Sequence, residues 1–291
     1  MSHWKTEYLS KIKGLRSGLF SRFPSLYRAY EAFGIKDIRN GTWKLRSRLR
    51  LTHGIVQFDG FQMYLDESSY MDLSLYRQYL EDGLYEKETS RYVMNALKEG
   101  DVFVDIGANS GYYTLLASSI VGEDGFVYSF EPHPETFKRL SRNVKMNKMN
   151  NVKIFNMACS SYDGVGTLNV SKSSDGLNSL KQIPLTSNSI PIEVRKLDTV
   201  LPDAVIDMIK IDAEGSEMDI ITGASKILSK GKPNIIYEIN RGFASSQKII
   251  DVLKEAGFIS FAIKNRNLQG EIANIDEIAT GTSNIVALRE R

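Results

Sequence analysis

The sequence predicts an α/β protein with a doubly wound, mostly parallel sheet of seven strands. From residue 101 onward, short apolar segments alternate with longer segments of helical periodicity, as the connections of a parallel sheet require. The first apolar segment, 101–106, is an apolar run with one acid near its end, Asp105, which is typical of a strand buried on both faces. With 291 residues, of which 42% are apolar and 25% charged, the chain is long enough for one large domain and an extension.

The predicted elements after residue 100 are assigned from their apolar periodicity. The predicted parallel strands span 101–106, 126–131, 152–158, 206–211 and 234–239. The predicted helices span 111–121, 134–147, 216–229 and 245–256. Two more apolar segments, 258–263 and 282–288, complete the seven strands, and we expect them to pair antiparallel at one edge of the sheet.

The chain before residue 100 is predicted to form two accessory regions. Residues 1–54 have helical periodicity and are basic. Residues 1–50 hold 12 Lys and Arg against 3 Asp and Glu, a charge of 12 − 3 = +9 in a chain whose net charge is +2. Residues 55–99 are predicted to form a β-hairpin around Asp59 and Gly60, followed by helices that cap the core. The α/β domain itself is expected to span 100–291.

The basic extension has three alternative interpretations. Its charge suits contact with an anionic membrane surface or with nucleic acid phosphates, and it also suits a solvated helix that packs on the domain. The sequence contains no apolar run of about 18 residues and no apolar signal segment. We therefore expect a cytoplasmic protein, with the extension at most peripheral to the inner membrane face. The single cysteine, Cys159, excludes a disulfide within the chain.

One polar stretch interrupts the pattern of strands and helices. Residues 171–189 are rich in Ser, Asn and Gly and lie between the segments 164–170 and 190–195, which have strand character. A long polar loop in a compact domain is commonly functional or disordered. We expect this one to act as a lid that closes over a substrate.

The first predicted strand leads into a glycine loop and then a helix, the unit that binds nucleotide-like cofactors at the carboxyl edge of a sheet. The loop reads Asp105-Ile-Gly-Ala-Asn-Ser-Gly111, and Asn109 stands where a dinucleotide fingerprint needs its middle glycine. The spacing is instead that of enzymes that bind S-adenosylmethionine (SAM). Because Gly107 and Gly111 lack a Cβ atom, we expect a ligand to approach the backbone there and the helix to pack close to the strand.

A second signal supports a SAM site. Glu131 ends the next predicted strand, 131 − 105 = 26 residues after Asp105. This is near the offset of about 20 residues at which an acid reaches a ribose hydroxyl. His133 follows between two prolines, and we expect it to stack near the adenosine rather than to act as a base.

Acidic residues are concentrated where the fourth predicted strand ends. Asp212, Glu214 and Glu217 fall within six residues, and Glu238 ends a neighbouring predicted strand. Because ligands lie beyond the carboxyl ends of parallel strands, we expect all four acids in one crevice, where crowded carboxylates raise one another's pKa. Transfer of a methyl group to a hydroxyl needs a group that accepts the hydroxyl proton, so these residues are the candidate bases. For Glu217, a structural role in the first turn of a helix is the alternative.

Metal binding and thiol chemistry are alternatives at the same sites. Asp212 and Glu238 could together hold a divalent cation, because oxygen ligands from neighbouring strand ends suit Mg²⁺. SAM is the expected cofactor, no metal ligand is assigned, and Mg²⁺ stays an open alternative. His3 and His53 lack metal-ligand spacing. Cys159 is expected to be a small core residue, since no histidine lies near it in the sequence.

The motifs together resemble the FkbM family of SAM-dependent methyltransferases. The resemblance rests on Asp105-Ile-Gly-Ala-Asn-Ser-Gly-Tyr-Tyr-Thr, Phe130-Glu-Pro-His-Pro and Ile209-Lys-Ile-Asp-Ala-Glu-Gly-Ser-Glu. Shorter matches are Leu84-Tyr-Glu86, Asp175-Gly-Leu-Asn-Ser-Leu180, Leu197-Asp-Thr-Val and Tyr237-Glu-Ile. It covers roughly residues 80–240 and leaves the basic extension outside. The fold that it implies is the Rossmann-like fold of these enzymes.

The resemblance implies roles for individual residues. The glycine loop would line the methionine end of SAM, Glu131 would hold the ribose, and residues around Met157 would flank the adenine. The cofactor-binding residues would then be Asp105, Gly107, Ala108, Asn109, Gly111, Glu131, Pro132, Met157, Ala158 and Asp212. Asp212 and Glu214 would face the methyl group. With Glu238, they are the expected catalytic residues.

The function that the resemblance implies is O-methylation, most often of a sugar or polyketide hydroxyl. We expect an acceptor in a glycan, glycolipid or other glycoconjugate, and the protein could form a homo-oligomer. The alternative is a nucleic-acid methyltransferase, for example of RNA ribose, that uses the basic extension. The acids at 212–217 would repel phosphates and argue against methylation of base amines, but not against methylation of ribose hydroxyls. A binding module without catalysis is a third alternative, and an NAD enzyme is disfavoured by Asn109.

Overall fold

The structure is a computed structural model that describes residues 54–289, except Glu67, 172–177, 181–185, 241–244, 265–266 and 279–281. The chain divides into two compact units, Met1–His53 and Gly54–Arg291. The predicted helices of the basic extension lie outside the described residues. None of the described helices combines the length and the apolar character that crossing a membrane needs.

A doubly wound α/β sheet forms the centre of the second unit, as predicted. Its strands are β3 (Val102–Ile106), β4 (Phe126–Phe130), β5 (Val152–Phe155), β9 (Met208–Ile211), β10 (Asn234–Asn240), β11 (Phe258–Lys264), β12 (Asn267–Glu271) and β13 (Thr282–Arg289). Their order is β12-β11-β13-β10-β9-β3-β4-β5, with the pairs from β10 to β5 parallel and those from β10 to β12 antiparallel. The sheet therefore has eight strands among the described residues, one more than predicted.

The helices connect these strands and cover the sheet. They are α1 (Tyr70–Asp82), α2 (Lys87–Ala96), α3 (Tyr112–Val121), α4 (Pro134–Met146), α5 (Leu197–Val200), α6 (Glu217–Gly223), α7 (Ser225–Lys230) and α8 (Ser245–Glu255). The predicted helix 216–229 was wrong in one respect, because it divides at Ala224. The Asp198 carboxylate accepts the N–H groups of Lys226 and Ile227, so that α7 begins with its own cap.

The predicted strand 152–158 is also two elements. After β5, the chain enters β6 (Ala158–Cys159), which belongs to a separate sheet with β7 (Gly164–Ser171) and β8 (Thr186–Arg195). Residues 186–189, expected in a loop, lie in β8, so the polar stretch is partly the end of a β-ribbon. Most of the expected lid, 172–177 and 181–185, lies outside the described residues. Between those gaps, Ser179 pairs with Asn169 of β7 through two backbone hydrogen bonds.

The predicted hairpin around Asp59 and Gly60 is confirmed. It consists of β1 (Ile55–Gln57) and β2 (Gln62–Tyr64), and two asparagines hold it to the α/β domain. The Asn143 side chain accepts the N–H of Tyr64 and donates to its C=O, and Asn147 does the same for Gln62. These bonds satisfy the edge of β2, which would otherwise be left unpaired.

The core explains why β3 reads as an uninterrupted apolar run. Phe103 and Val104 are fully buried, on opposite faces of the sheet, and they belong to the two main clusters of apolar side chains. Each cluster fills the space between one face of the sheet and its helices. The carboxyl end of this buried strand carries Asp105 and the glycine loop.

Candidate active site

The carboxyl ends of β3, β4 and β9 open into one cleft, where the fold predicts a ligand. The empty space in this cleft, including its open, solvent-filled mouth, is about 1000 Å³. The sequence-predicted residues that line it are Asp105, Gly107, Ala108, Asn109, Glu131, Pro132, Met157, Ala158, Asp212 and Glu214. Of the remaining predicted residues, Gly111 packs near Leu140 of α4 instead. Glu238 does not line the cleft, but one of its carboxylate oxygens lies within 4.8 Å of oxygens of Asp212 and Glu214, which do.

The glycine loop packs closely against the residues that follow β9. Gly107 has φ +80°, and a Cβ atom there would overlap the backbone carbonyl of Asp212. Close approach of the loop after β9 is therefore one reason for this glycine, and close approach of a ligand stays a prediction. Asn109 also has a positive φ, +50°, which asparagine tolerates better than most residues.

Glu131 fastens this loop to the end of β4. Its carboxylate accepts the backbone N–H of Asn109 at 3.0 Å and that of His133 at 2.8 Å. Burial raises the pKa of Glu131 to about 7, although both N–H groups act in the opposite direction. Each carboxylate oxygen keeps a further lone pair, so the side chain can still accept hydroxyl donors from the cleft.

His133 has a structural role that the sequence did not reveal. Its Nδ1 accepts the backbone N–H of Thr136 at 3.4 Å and caps the N-terminus of α4. The expectation that His133 stacks near the adenosine has no support from this position.

Asp105 has one satisfied and one unsatisfied carboxylate oxygen. Its Oδ2 accepts the Thr114 hydroxyl at 2.7 Å, and that hydroxyl also contacts Ser129 at 2.8 Å. Its Oδ1 is buried with no hydrogen-bond partner in the described part of the chain. Burial raises the pKa of Asp105, and the ammonium of Lys210 opposes that effect. A buried acceptor without a donor is costly, so this oxygen fits a ligand that brings a cationic donor.

Three carboxylates meet beyond the ends of β9 and β10. Oxygens of Asp212, Glu214 and Glu238 all lie within 4.8 Å of one another, and all three residues are half-buried. Burial, with the charge of Asp212 as the next cause, raises the pKa of Glu214 to about 8 and that of Glu238 to about 9. The crowding expected from the sequence is present. At this spacing the acids can share protons or surround a cation.

Glu217 is different from these three acids. Its Oε1 accepts the backbone N–H groups of Ala213 and Gly215, each at 3.1 Å, at the start of its own helix. These contacts hold the loop between β9 and α6, and Glu217 also stands in the first turn of α6, as its structural alternative expects.

Two charged residues of the site were not predicted from the sequence. Lys210, in the middle of β9, donates from Nζ to Asp212 Oδ2 at 2.8 Å and lies 4.7 Å from the centroid of the Tyr113 ring. Glu86, just before α2, accepts from Tyr113 Oη at 2.9 Å and from Asn284 Nδ2 at 3.1 Å. A lysine inside the apolar segment Met-Ile-Lys-Ile-Asp was the available signal for the first. Glu86 is brought to the site only by tertiary structure.

The residues that line the cleft fit SAM. Asp105 Oδ1 is a buried acceptor without a donor among the described residues, Glu131 places a carboxylate beside the glycine loop, and Met157 adds apolar surface. The fold and this cleft fit the class of SAM-dependent methyltransferases.

Comparison with known proteins gives the family. Residues 105–260, slightly more than half of the chain, match the family described as Methyltransferase FkbM domain. The protein therefore belongs to the FkbM methyltransferase family, and the resemblance drawn from the motifs is confirmed. The motifs cover roughly residues 80–240. The family match begins later, at residue 105, so it does not include Glu86, and it ends 20 residues further on, at residue 260.

Individual relatives are distant. The chain is 25% identical over 175 residues to the hexuronic acid methyltransferase AglP of Haloferax volcanii, covering 59% of this chain and 69% of that protein. It is 32% identical over 93 residues to a protein-L-isoaspartate O-methyltransferase of Fervidobacterium nodosum, covering 31% and 46%. A crystal structure of methyltransferase FkbM from Methylobacillus flagellatus aligns with TM-score 0.45 at 15% identity, covering 88% of this chain and 60% of that one.

Proposed function

We propose that the protein is an O-methyltransferase that methylates a sugar hydroxyl in a glycan, glycolipid or other glycoconjugate. The observation that carries the proposal is the cluster of Asp212, Glu214 and Glu238 beside the cofactor cleft. A hydroxyl is a poor nucleophile until a base accepts its proton, and a base is most effective when its pKa lies near the working pH. Glutamates whose pKa is raised to about 8 and about 9 meet that requirement.

The proposed cofactor contacts follow from the cleft. SAM, when bound, supplies an electrophilic methyl group. Asp105 would accept a hydrogen bond from its ammonium group, and Glu131 would accept from the ribose hydroxyls. The glycine loop, with Gly107, Ala108 and Asn109, would contact the methionine end. Met157 and Ala158 would flank the adenine, as the family resemblance implies.

The proposed chemistry assigns the proton to the carboxylate cluster. Glu214 lines the cleft, so it is placed to accept the proton of the acceptor hydroxyl. In that transfer the hydroxyl oxygen would gain the methyl group of SAM, and the electron pair of the broken carbon–sulfur bond would remain on sulfur. Glu238, within 4.8 Å of Glu214, can then share the proton.

Two features support a sugar as the acceptor. The cleft continues along Tyr85 and Tyr112, whose ring centroids are 5.4 Å apart, and along Leu75 of α1. Aromatic and apolar walls combined with a few polar groups suit the mixed surface of a sugar ring. The relative from Haloferax volcanii is named for a hexuronic acid. A phosphate-rich acceptor is disfavoured by the three acids.

The experiment is an acceptor screen with purified full-length protein and SAM. Neutral sugars, uronic acids, lipid-linked sugars and a short RNA would be offered separately, and products would be detected as a mass increase of one methyl group with formation of S-adenosylhomocysteine. We expect methylation of a sugar hydroxyl. Methylation of the RNA alone, or of none of the sugars by protein that binds the cofactor, would contradict the proposal.

A pair of variants tests the assignment of the base. Glu214→Gln and Glu238→Gln keep size and hydrogen bonding but remove the acid, and loss of a general base costs about 10²- to 10⁴-fold in rate. We expect at least one of them to lower kcat by that amount while S-adenosylhomocysteine still binds. Full turnover in both variants would exclude these glutamates as the base.

A further inference from the structure

One ammonium group is buried in the middle of the sheet, and neither the sequence motifs nor the family match assigns it a role. Lys210 is 2% exposed, and its neighbours in β9, Met208, Ile209 and Ile211, are equally buried. A lysine is almost never fully buried without a partner, because burying its charge has a large desolvation cost. The strand would pack with an apolar side chain at this position. Nearby opposite charges must therefore compensate the cost of burying this ammonium.

Lys210 is surrounded by acids from several elements. Asp105 of β3 is its cross-strand partner in the parallel ladder, so both side chains project from the same face of the sheet. Asp212, two residues further along, is bonded directly to Nζ at 2.8 Å. Glu86 approaches from the start of α2 and is held there by Tyr113 and Asn284.

The ammonium acts electrostatically on the whole group. Its charge lowers the pKa of Glu86, Asp105, Glu214 and Glu238, in each case against the effect of burial. In return, the charges of Asp212, Glu86 and Asp105 raise the pKa of Lys210, although burial alone would lower it. Lys210 is thus the counter-charge that the cofactor side and the carboxylate cluster have in common.

We propose that Lys210 is a positioning residue for methyl transfer: its bond to Asp212 fixes that carboxylate at the cleft, and its charge sets the protonation of the neighbouring acids. This inference rests on the proposed function. We do not assign Lys210 as the base, because its ammonium donates to Asp212 and faces the Tyr113 ring. Its effect on the reaction is exerted through the carboxylates.

The proposal predicts a specific change in pH dependence. Lys210→Gln keeps a hydrogen-bond donor near Asp212 but removes the positive charge. Each of the surrounding acids should then retain its proton to a higher pH, because the favourable interaction with its ionised form is lost. A base that must be ionised would therefore become active only at a higher pH than in the wild type.

The experiment compares kcat as a function of pH in the wild type, Lys210→Gln and Lys210→Arg, with Lys226→Gln as a control on an exposed lysine. We expect the rising limb of the profile to move up by about one pH unit in Lys210→Gln, with kcat at pH 7 lower by about tenfold or more.

Two controls accompany this variant. In Lys210→Arg, which keeps the charge, the rising limb should lie at nearly the same pH as in the wild type. In Lys226→Gln, kcat should equal that of the wild type at every pH. Binding of S-adenosylhomocysteine, measured by calorimetry at each pH, separates weaker cofactor binding through Asp105 from the change in kcat.

Two results would overturn the proposal. One is an unchanged profile in well-folded Lys210→Gln. The other is a loss of kcat by the same factor at every pH, which is what a merely structural role would produce. If Lys210→Gln does not fold, Lys210→Met removes the same charge with an apolar side chain that suits the buried strand, and an unchanged profile in that variant would also reject the inference.

A measurement without turnover separates this inference from the proposed function. The pH dependence of thermal unfolding reports the same acids, because their protonation is linked to stability. In Lys210→Gln the fall of the melting temperature with rising pH should continue to a higher pH than in the wild type, because the substitution raises the pKa of the acids in the folded state only. If the acceptor screen fails but this shift is seen, the proposed acceptor is wrong and the electrostatic role of Lys210 stands. If no shift is seen, the role of Lys210 is rejected whatever the acceptor.

Discussion

At the scale of single residues, the site depends on contacts that are unusual for the residue types involved. A carboxylate oxygen of Asp105 is buried without a donor among the described residues, an ammonium is buried in a central strand, and Glu214 has a positive φ of 48°. Each of these features costs free energy of folding when taken alone. Together they place acids of raised pKa next to a cofactor cleft, which is where such costs are expected in enzymes.

The first prediction concerns Gly107. Gly107→Ala should lower the free energy of unfolding by at least about 2 kcal/mol, because the new methyl group overlaps the Asp212 carbonyl in addition to requiring a positive φ. Gly100→Ala is the matched control, since Gly100 has a similar φ of +86° and a Cβ atom there would meet nothing within 4 Å. Urea unfolding of both variants would measure the difference. Equal losses would show that the close approach of the two loops is not what requires glycine.

The second prediction concerns the alkaline stability of the protein. The pKa values of Glu214 and Glu238 are raised in the folded state, from an ordinary value of 4.5 to about 8 and about 9. Between those limits the folded protein binds more protons than the unfolded chain, so the free energy of unfolding should fall as the pH rises from about 5 to about 9. Glu238→Gln should flatten this decline, and Glu193→Gln, at an exposed acid, should not. A decline of the same slope in Glu238→Gln would contradict the protonation states assigned to the cluster.

At the scale of elements, the sequence predicted most of the α/β domain because its strands and helices have clear periodicity. The segments 101–106 and 126–131 are apolar runs, and helix 134–147 begins with proline at its first position. The failures have physical causes. Strand β12, Asn267–Glu271, holds a single large apolar side chain, so no apolar pattern marks it. The division at Ala224 depends on a cap from the distant Asp198, which periodicity does not contain.

The site was predictable to a similar extent. Acids at strand ends were identified because the fold brings carboxyl ends to one edge, and the structure places Asp212, Glu214 and Glu238 together. Lys210 was missed although it lies within a motif, because the apolar residues around it indicate a buried strand and do not reveal which acids would face its ammonium. Glu86 was seen only as part of a motif, because its contacts with Tyr113 and Asn284 come from residues 27 and 198 positions away.

The third prediction concerns the hairpin of β1 and β2. Its docking relies on the side chains of Asn143 and Asn147, each of which bonds both backbone groups of one residue of β2. Asn143→Ala should cost about 1–3 kcal/mol of stability, because it leaves buried polar groups unsatisfied. Hydrogen exchange at the Tyr64 amide should increase, while Asn150→Ala, at an exposed position, leaves it unchanged. Unchanged exchange in Asn143→Ala would show that other contacts hold the hairpin.

At the scale of the whole molecule, charge is divided between the two parts of the chain. Residues 1–50 carry +9, and the remainder therefore carries 2 − 9 = −7. An acceptor on a lipid or on an anionic surface would be attracted by the extension, within the distance over which salt screens charge.

The fourth prediction tests that division. Deletion of residues 1–50 should reduce co-sedimentation of the protein with anionic vesicles, because each basic residue near such a surface contributes about 1 kcal/mol. Neutral vesicles provide the control, and raising the salt concentration should reduce binding of the full-length chain in the same way. Vesicle binding that is unchanged by the deletion would remove membrane contact as a role for the extension.

The central claim is that the cleft at the ends of β3 and β4 holds SAM, and calorimetric titration with S-adenosylhomocysteine tests it most directly. Wild-type protein should bind in the micromolar range, and Asp105→Ala/Glu131→Ala should bind at least about 100-fold more weakly, since each charged hydrogen bond contributes about 1.5–3 kcal/mol. Glu193→Ala is the control for a surface acid, and thermal unfolding checks that every variant is folded. The absence of binding by folded wild-type protein, or binding unchanged by the double substitution, would contradict the account.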